Sequence, residues 1–115
     1  MKTLRTRKSE NIYIKHRKNN KETGCPLCKR EKLKLFKYWK IIKNRFPYDK
    51  IAREHSMLLP IRHVTENGLN KKELDELKGI KNSYINKSDY NYIIEATESN
   101  KSQPNHFHLH LIKLK

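Results

Sequence analysis

The chain has 115 residues, of which 35% are hydrophobic and 34% charged, and a formal net charge of +15. That length suits one domain, and an apolar share below the usual ~45–50% implies a thin core that an extra constraint such as a structural metal would reinforce. No apolar run approaches the ~18 residues of a membrane-spanning helix, so no membrane partner is expected, and the charged start MKTLRTRKSE, with no apolar segment behind it, fits a soluble, cytoplasmic protein; the positive charge favours nucleotides, nucleic acid or acidic proteins.

Residues 1–24 read as a basic N-terminal arm with one strand-like patch at Ile12, Tyr13 and Ile14. Such an arm is expected to pair loosely with a sheet or to lack fixed structure, and it is a candidate for nucleic-acid contact. Residues 25–115 form the expected domain. It opens with a tight turn, Gly24-Cys25-Pro26-Leu27-Cys28, because Gly and Pro punctuate structure and a knuckle carrying two sulfurs needs a sharp reversal. The aromatic and β-branched residues between Leu35 and Asn44 predict a strand, ended by the turn Arg45-Phe46-Pro47-Tyr48. A second strand is expected from Ser56 to Ile61, bracketed by His55 and His63.

Asn70 followed by Glu73 has the spacing of a capping box, and Leu69, Leu74, Leu77, Ile80, Tyr84 and Ile85 recur at helical intervals, so a helix is expected to about Asn86. Gly79 lies inside it at a cost of about 1 kcal/mol relative to Ala, which leaves room for a break there. Tyr90–Ala96 and His106–Lys113 complete the strands, separated by the polar loop Thr97–Asn105. Strands with one main helix among them argue for an α+β domain with a mostly antiparallel sheet of about five strands.

Alternate side chains of a strand point to opposite faces, so in His106-Phe107-His108-Leu109-His110-Leu111 the three imidazoles share one face and the apolar residues the other. Such a row suits phosphate chemistry on one ligand; the plainer alternatives are a solvated edge strand or adventitious metal pick-up. Cys25, Cys28, His63 and one triad histidine, most simply His106, offer two thiolates and two neutral imidazoles, a donor set for tetrahedral Zn²⁺. A redox C-x-x-C or two free thiols are the alternatives, though the basic, strand-forming KREKLKLFKYWKII that follows is unlike a thioredoxin setting. His55 and His63 lie an even interval apart and would share a face of an undistorted strand, unless Pro60 interrupts it; otherwise they are surface histidines at strand ends.

These residues resemble the histidine triad (HIT) superfamily of nucleotidyl hydrolases and transferases, with its galactose-1-phosphate uridylyltransferase branch. HFHLHLI at His106 to Ile112 matches the family's alternating His and apolar signature, HSMLLPIRH at His55 to His63 is similar to its upstream strand, NRFPYD at Asn44 to Asp49 to the preceding turn, and CPLC at Cys25 to Cys28 to the knuckle of zinc-containing members. The resemblance implies structural Zn²⁺ on Cys25, Cys28, His63 and His106; His108 as nucleophile; and His110, His55 and Gln103 at the phosphate, with His110 and His55 supporting catalysis. Where the family often has an Asn near the phosphate, Glu95 stands here, and a carboxylate there would repel the substrate unless protonated or turned away.

The implied reaction is nucleotidyl transfer at the α-phosphate of a nucleotide or nucleotide conjugate: neutral His108 forms a covalent nucleotidyl-histidine that water or another acceptor resolves. The attacking nitrogen must be free, so the other ring nitrogen should donate to a backbone carbonyl or similar acceptor. Two further readings are aprataxin-like processing of adenylated nucleic-acid ends, with the arm gripping the backbone, and a non-catalytic, zinc-stabilised nucleic-acid-binding module. A homodimer is compatible with all of them.

Overall fold

The computed structural model describes residues 3–19, 24–101 and 104–115. Its elements in chain order are α1 (Arg7–Asn19), β1 (Lys32–Leu35), β2 (Trp39–Lys43), β3 (Ala52–Pro60), α2 (Lys71–Ile80), β4 (Tyr92–Ile94) and β5 (Leu109–Leu114). The strands form one sheet in the order β1-β2-β3-β5-β4, antiparallel at every pairing. This is the expected α+β architecture with five strands, to which α1 adds a second helix.

Alternation along the central strands divides the sheet into two faces. Trp39 and Ile41 of β2, Leu58 of β3 and Leu109 and Leu111 of β5 join Phe107 and the α2 residues Leu77 and Ile80 in the main core. Ile42, Met57 and Leu59 lie opposite and pack against Leu27 of the knuckle. The β3–β5 register sets Met57 across from His110 and His55 across from Ile112, so the histidines share the knuckle's face. The thin core therefore goes chiefly to the helix side, and the opposite face carries chemistry.

Helix α2 starts where the capping box was expected: Asn70 Oδ1 accepts from Glu73 N at 2.9 Å and Glu73 Oε1 accepts from Asn70 N at 2.9 Å. The same buried carboxylate pairs with Arg62 at 2.7 Å, and the Glu73 carbonyl accepts from the Trp39 indole at 2.8 Å. The helix does not break at Gly79; it runs on into a π-helical turn, Lys81–Ile85, which brings Ile85 into the core.

Four boundaries differ from the sequence reading. The stretch from Leu35 to Asn44 is not one strand: the chain reverses at Phe36–Tyr38 between β1 and β2, and the Glu76 carboxylate of α2 holds the reversal by accepting from Lys37 N and Tyr38 N. No Gly or Pro marks that turn. β3 begins earlier, at Ala52, because Glu54 pairs with Lys113 across the ladder. β4 is shorter than Tyr90–Ala96, and the β5 ladder begins at Leu109, after Phe107 N has bonded to Val64 O.

The fifth difference is Ile12, Tyr13 and Ile14, which lie within α1. Asp49 anchors its start, accepting from Thr6 N at 2.8 Å and from the hydroxyls of Thr6 and Ser9. Burial works to raise the Asp49 carboxyl, but these hydrogen bonds outweigh it and hold it below its ordinary value. Ile12 and Ile14 are exposed, whereas Tyr13 stacks edge-on against Phe46, so this patch does not supply a strand face.

Candidate active site and metal centre

The turn carrying Cys25 and Cys28, the segment beyond β3 carrying His63 and the segment before β5 carrying His106 converge at one point. One ligand atom from each lies within 4.8 Å of all the others. Cys28 Sγ is 3.4 Å from His63 Nδ1 and 3.4 Å from His106 Nδ1, and Cys25 Sγ is 3.5 Å from His106 Nδ1. Tetrahedral bonds of about 2.3 Å to sulfur and about 2.0–2.1 Å to nitrogen would separate S from N by roughly 3.5 Å. His106 Nε2 donates to Pro60 O at 2.9 Å, which leaves Nδ1 unprotonated toward the sulfurs. Burial holds His106 below its ordinary pKa. The four residues could thus hold a metal ion, which would lower the Cys28 thiol that burial and the neighbouring Cys25 push up.

Beside this centre His55 and His110 form, with Tyr48, a chain of hydrogen bonds whose proton positions follow from its fixed end. Tyr48 N donates to His55 Nδ1 at 2.9 Å. A neutral His55 therefore carries its proton on Nε2 and donates it to His110 Nδ1 at 2.8 Å, so the His110 proton is on Nε2 and faces Tyr48 Oη at 3.3 Å. The Asn44 NH2, oriented by the bond its oxygen accepts from Phe46 N at 2.7 Å, lies 3.2 Å from the same His55 Nε2, where a donor meets a donor and makes no hydrogen bond in this protonation state. Burial first, then Arg5 and His108, lowers His55 to about 3. Burial, then His55, His108 and Arg5, lowers His110 to about 3. Both are neutral near pH 7.

His108 stands apart from that chain. Its Nδ1 donates to the His106 carbonyl at 2.9 Å, which leaves Nε2 as the unprotonated nitrogen, and burial holds its pKa below the ordinary value. His108 and His110 line a cavity of about 150 Å³ whose walls include Arg5, Tyr13, Asn44, Phe46 and Met57.

The structure therefore brings His108 and His110 together at one cavity, with His55 behind His110 and bonded to it, and Cys25, Cys28, His63 and His106 together at another point, and it separates His55 from His63 despite their even spacing. Gln103 lies outside the described residues. Glu95 is exposed at the edge of a neighbouring cleft with Thr97 and Lys101, and its charge acts to raise His108. Asn44 and Tyr48 sit in the NRFPYD turn, where motif spacing could have found them. Arg5 and Tyr13 carry no such signal.

No protein-family model matches the sequence, and no curated protein matches it. Among solved structures, a histidine triad protein from Clostridium difficile is similar at a TM-score of 0.58 and 16% identity, covering 84% of this chain and 94% of the other. A HIT family hydrolase from Clostridium thermocellum gives 0.54 at 18% identity over 80% and 91%. A third, a HIT family hydrolase from Legionella pneumophila, gives 0.52 at 19% identity over 77% and 91%. The agreement extends over most of each chain, and the protein has the fold of the histidine triad superfamily.

Proposed function

We propose that this chain is a HIT-type nucleotidyl hydrolase or transferase acting at the α-phosphate of a nucleotide or nucleotide conjugate, with His108 as nucleophile. The observation that carries the reading is the His108 tautomer: Nδ1 is committed to the His106 carbonyl, so Nε2 is available to attack. In the first step Nε2 forms a bond to phosphorus while the bond to the leaving group breaks, the leaving group departing with that electron pair and taking a proton from solvent. In the second, water or another acceptor adds to phosphorus, loses its proton and frees His108. His110 remains neutral and presents its Nε2–H, which faces Tyr48 Oη at 3.3 Å, as the donor for a phosphoryl oxygen, while His55 fixes that tautomer by donating to His110 Nδ1.

The metal is proposed to be Zn²⁺, held by Cys25, Cys28, His63 and His106. A ligand set of four protein residues leaves no open position, so its role is structural. It fixes His106, whose carbonyl in turn fixes the His108 ring.

A second reading, processing of adenylated nucleic-acid ends, is favoured by a basic depression of about 210 Å³ formed by His16, Lys29, Arg30 and Arg45, which shares His16 and Arg30 with the histidine cavity. Mass spectrometry of the protein quenched after incubation with nucleoside phosphoramidates, dinucleoside polyphosphates and an adenylated oligonucleotide tests both. A nucleotidyl adduct on His108, with turnover abolished in a folded His108→Ala variant, is expected. Full turnover in that variant overturns the nucleophile assignment, and release of AMP from the oligonucleotide alone selects the second reading.

A further inference from the structure

The histidine cavity has a charge problem that its histidines do not solve. His55 and His110 are neutral, and His108 must be neutral to attack, yet the proposed substrate brings at least one negative charge to a buried surface. A preorganised cation is required there. Lys40 is buried too, but it binds the Cys28 carbonyl at 3.4 Å, on the metal-centre side. Lys101 lines the neighbouring cleft, not this cavity, and of the other arginines at the cavity wall Arg17 is exposed and Arg30 half-buried.

Arg5 does line the cavity, and it is the one arginine among the buried residues described. Its guanidinium is positioned from four sides. Nε donates to Phe46 O at 2.8 Å, Nη1 pairs with the buried Glu10 at 3.1 Å, and Cζ sits 4.0 Å from the Tyr13 ring centroid and 5.0 Å from that of Tyr48. Tyr48 in turn touches His110 through its hydroxyl. The fork has further N–H donors with no acceptor among the described residues. Glu10 and Tyr13 come from α1 and Phe46 from the turn before β3, so α1 holds the arginine over the histidines.

Building on the nucleotidyl-transfer reading, we propose that Arg5 is a substrate-binding residue of this site, whose guanidinium takes the phosphate oxygens of the nucleotide held against His108. The site is then completed in cis by the segment ahead of the knuckle: the α1 region supplies the positive charge and the triad strand the nucleophile.

The test uses the full, metal-loaded chain and compares the affinity of each common nucleoside 5′-monophosphate with that of its nucleoside, in wild type, Arg5→Gln and Arg5→Lys, with thermal midpoints measured alongside. Loss of a charge-assisted contact predicts that Arg5→Gln weakens monophosphate binding about 10- to 100-fold and leaves nucleoside binding unchanged; Arg5→Lys recovers part of the loss. An unchanged monophosphate preference in folded Arg5→Gln overturns the proposal, and so does an equal loss of both ligands without rescue by lysine, the pattern of a structural prop. A wild type with no monophosphate preference overturns the nucleotide reading itself, and this proposal with it. If Arg5→Gln fails to fold, the wild-type Arg5 Nε–H resonance decides: a shift with the monophosphate but not the nucleoside supports the contact, and equal shifts, or none, overturn it.

Discussion

At the residue scale, the histidine pair stores a pH dependence whose sign follows from its protonation. His55 and His110 are held at about 3, against about 6.5 for an ordinary histidine. An unfolded chain therefore takes up protons as the pH falls through 6.5, whereas the folded chain stays neutral at these positions until about 3. Their contribution to stability is complete above about pH 6.5 and is lost toward pH 3, by up to about 1.4 kcal/mol per pH unit for each histidine. Urea denaturation between pH 7.5 and 4.5 should show wild type losing stability more steeply than His55→Gln. Parallel curves would mean that the pair is not buried in the neutral state. The same neutrality gives Arg5 its importance, because it leaves the guanidinium as the cavity's buried charge.

At the scale of elements, α2 and α1 make opposite cases. The start of α2 is written locally in Asn70 and Glu73, and both halves of the capping box form. Removing the cap in Asn70→Ala should cost about 1 kcal/mol. Gly79 is exposed, without a positive φ, and an added Cβ meets nothing within 4 Å. Gly79→Ala should therefore stabilise by about 0.5–1 kcal/mol in chemical denaturation and leave turnover unchanged; a destabilised variant would show that the π-helical turn which follows needs glycine's freedom. By contrast, α1 depends on residues far away. Asp49 caps it and Phe46 receives Tyr13, so neither its helical state nor its place over the cavity follows from Ile12-Tyr13-Ile14 read alone.

At the scale of the whole molecule, the Cys/His cluster ties three segments that are distant in the chain, at 25–28, 63 and 106. Structural zinc in small peptides is worth about 10–16 kcal/mol, comparable with the entire net stability of about 5–15 kcal/mol of an ordinary domain. For a chain with so thin a core, stripping the proposed zinc should lower the thermal midpoint sharply or unfold the protein, and Cys25→Ser should carry less than one metal ion per chain and be insensitive to chelator. An unchanged midpoint after verified metal removal would refute the structural role. Among the described residues no helix is long and apolar enough to cross a membrane.

What the sequence by itself determined is whatever a short repeat or a fixed spacing encodes: the period-two alternation of His106 to Leu111 that puts imidazoles on one face, the Cys25–Cys28 knuckle, the α2 cap and the antiparallel α+β architecture. These depend on backbone geometry within a few residues. What only the tertiary structure decided is which of those residues meet: the reversal at Phe36–Tyr38 held by Glu76, the His55–His110 hydrogen bond, the commitment of His108 Nδ1 that frees Nε2, and the seating of Arg5 against Tyr48 and Phe46. Each joins groups through packing of separate segments or through the path the backbone takes around a side chain, and no local periodicity records that closure.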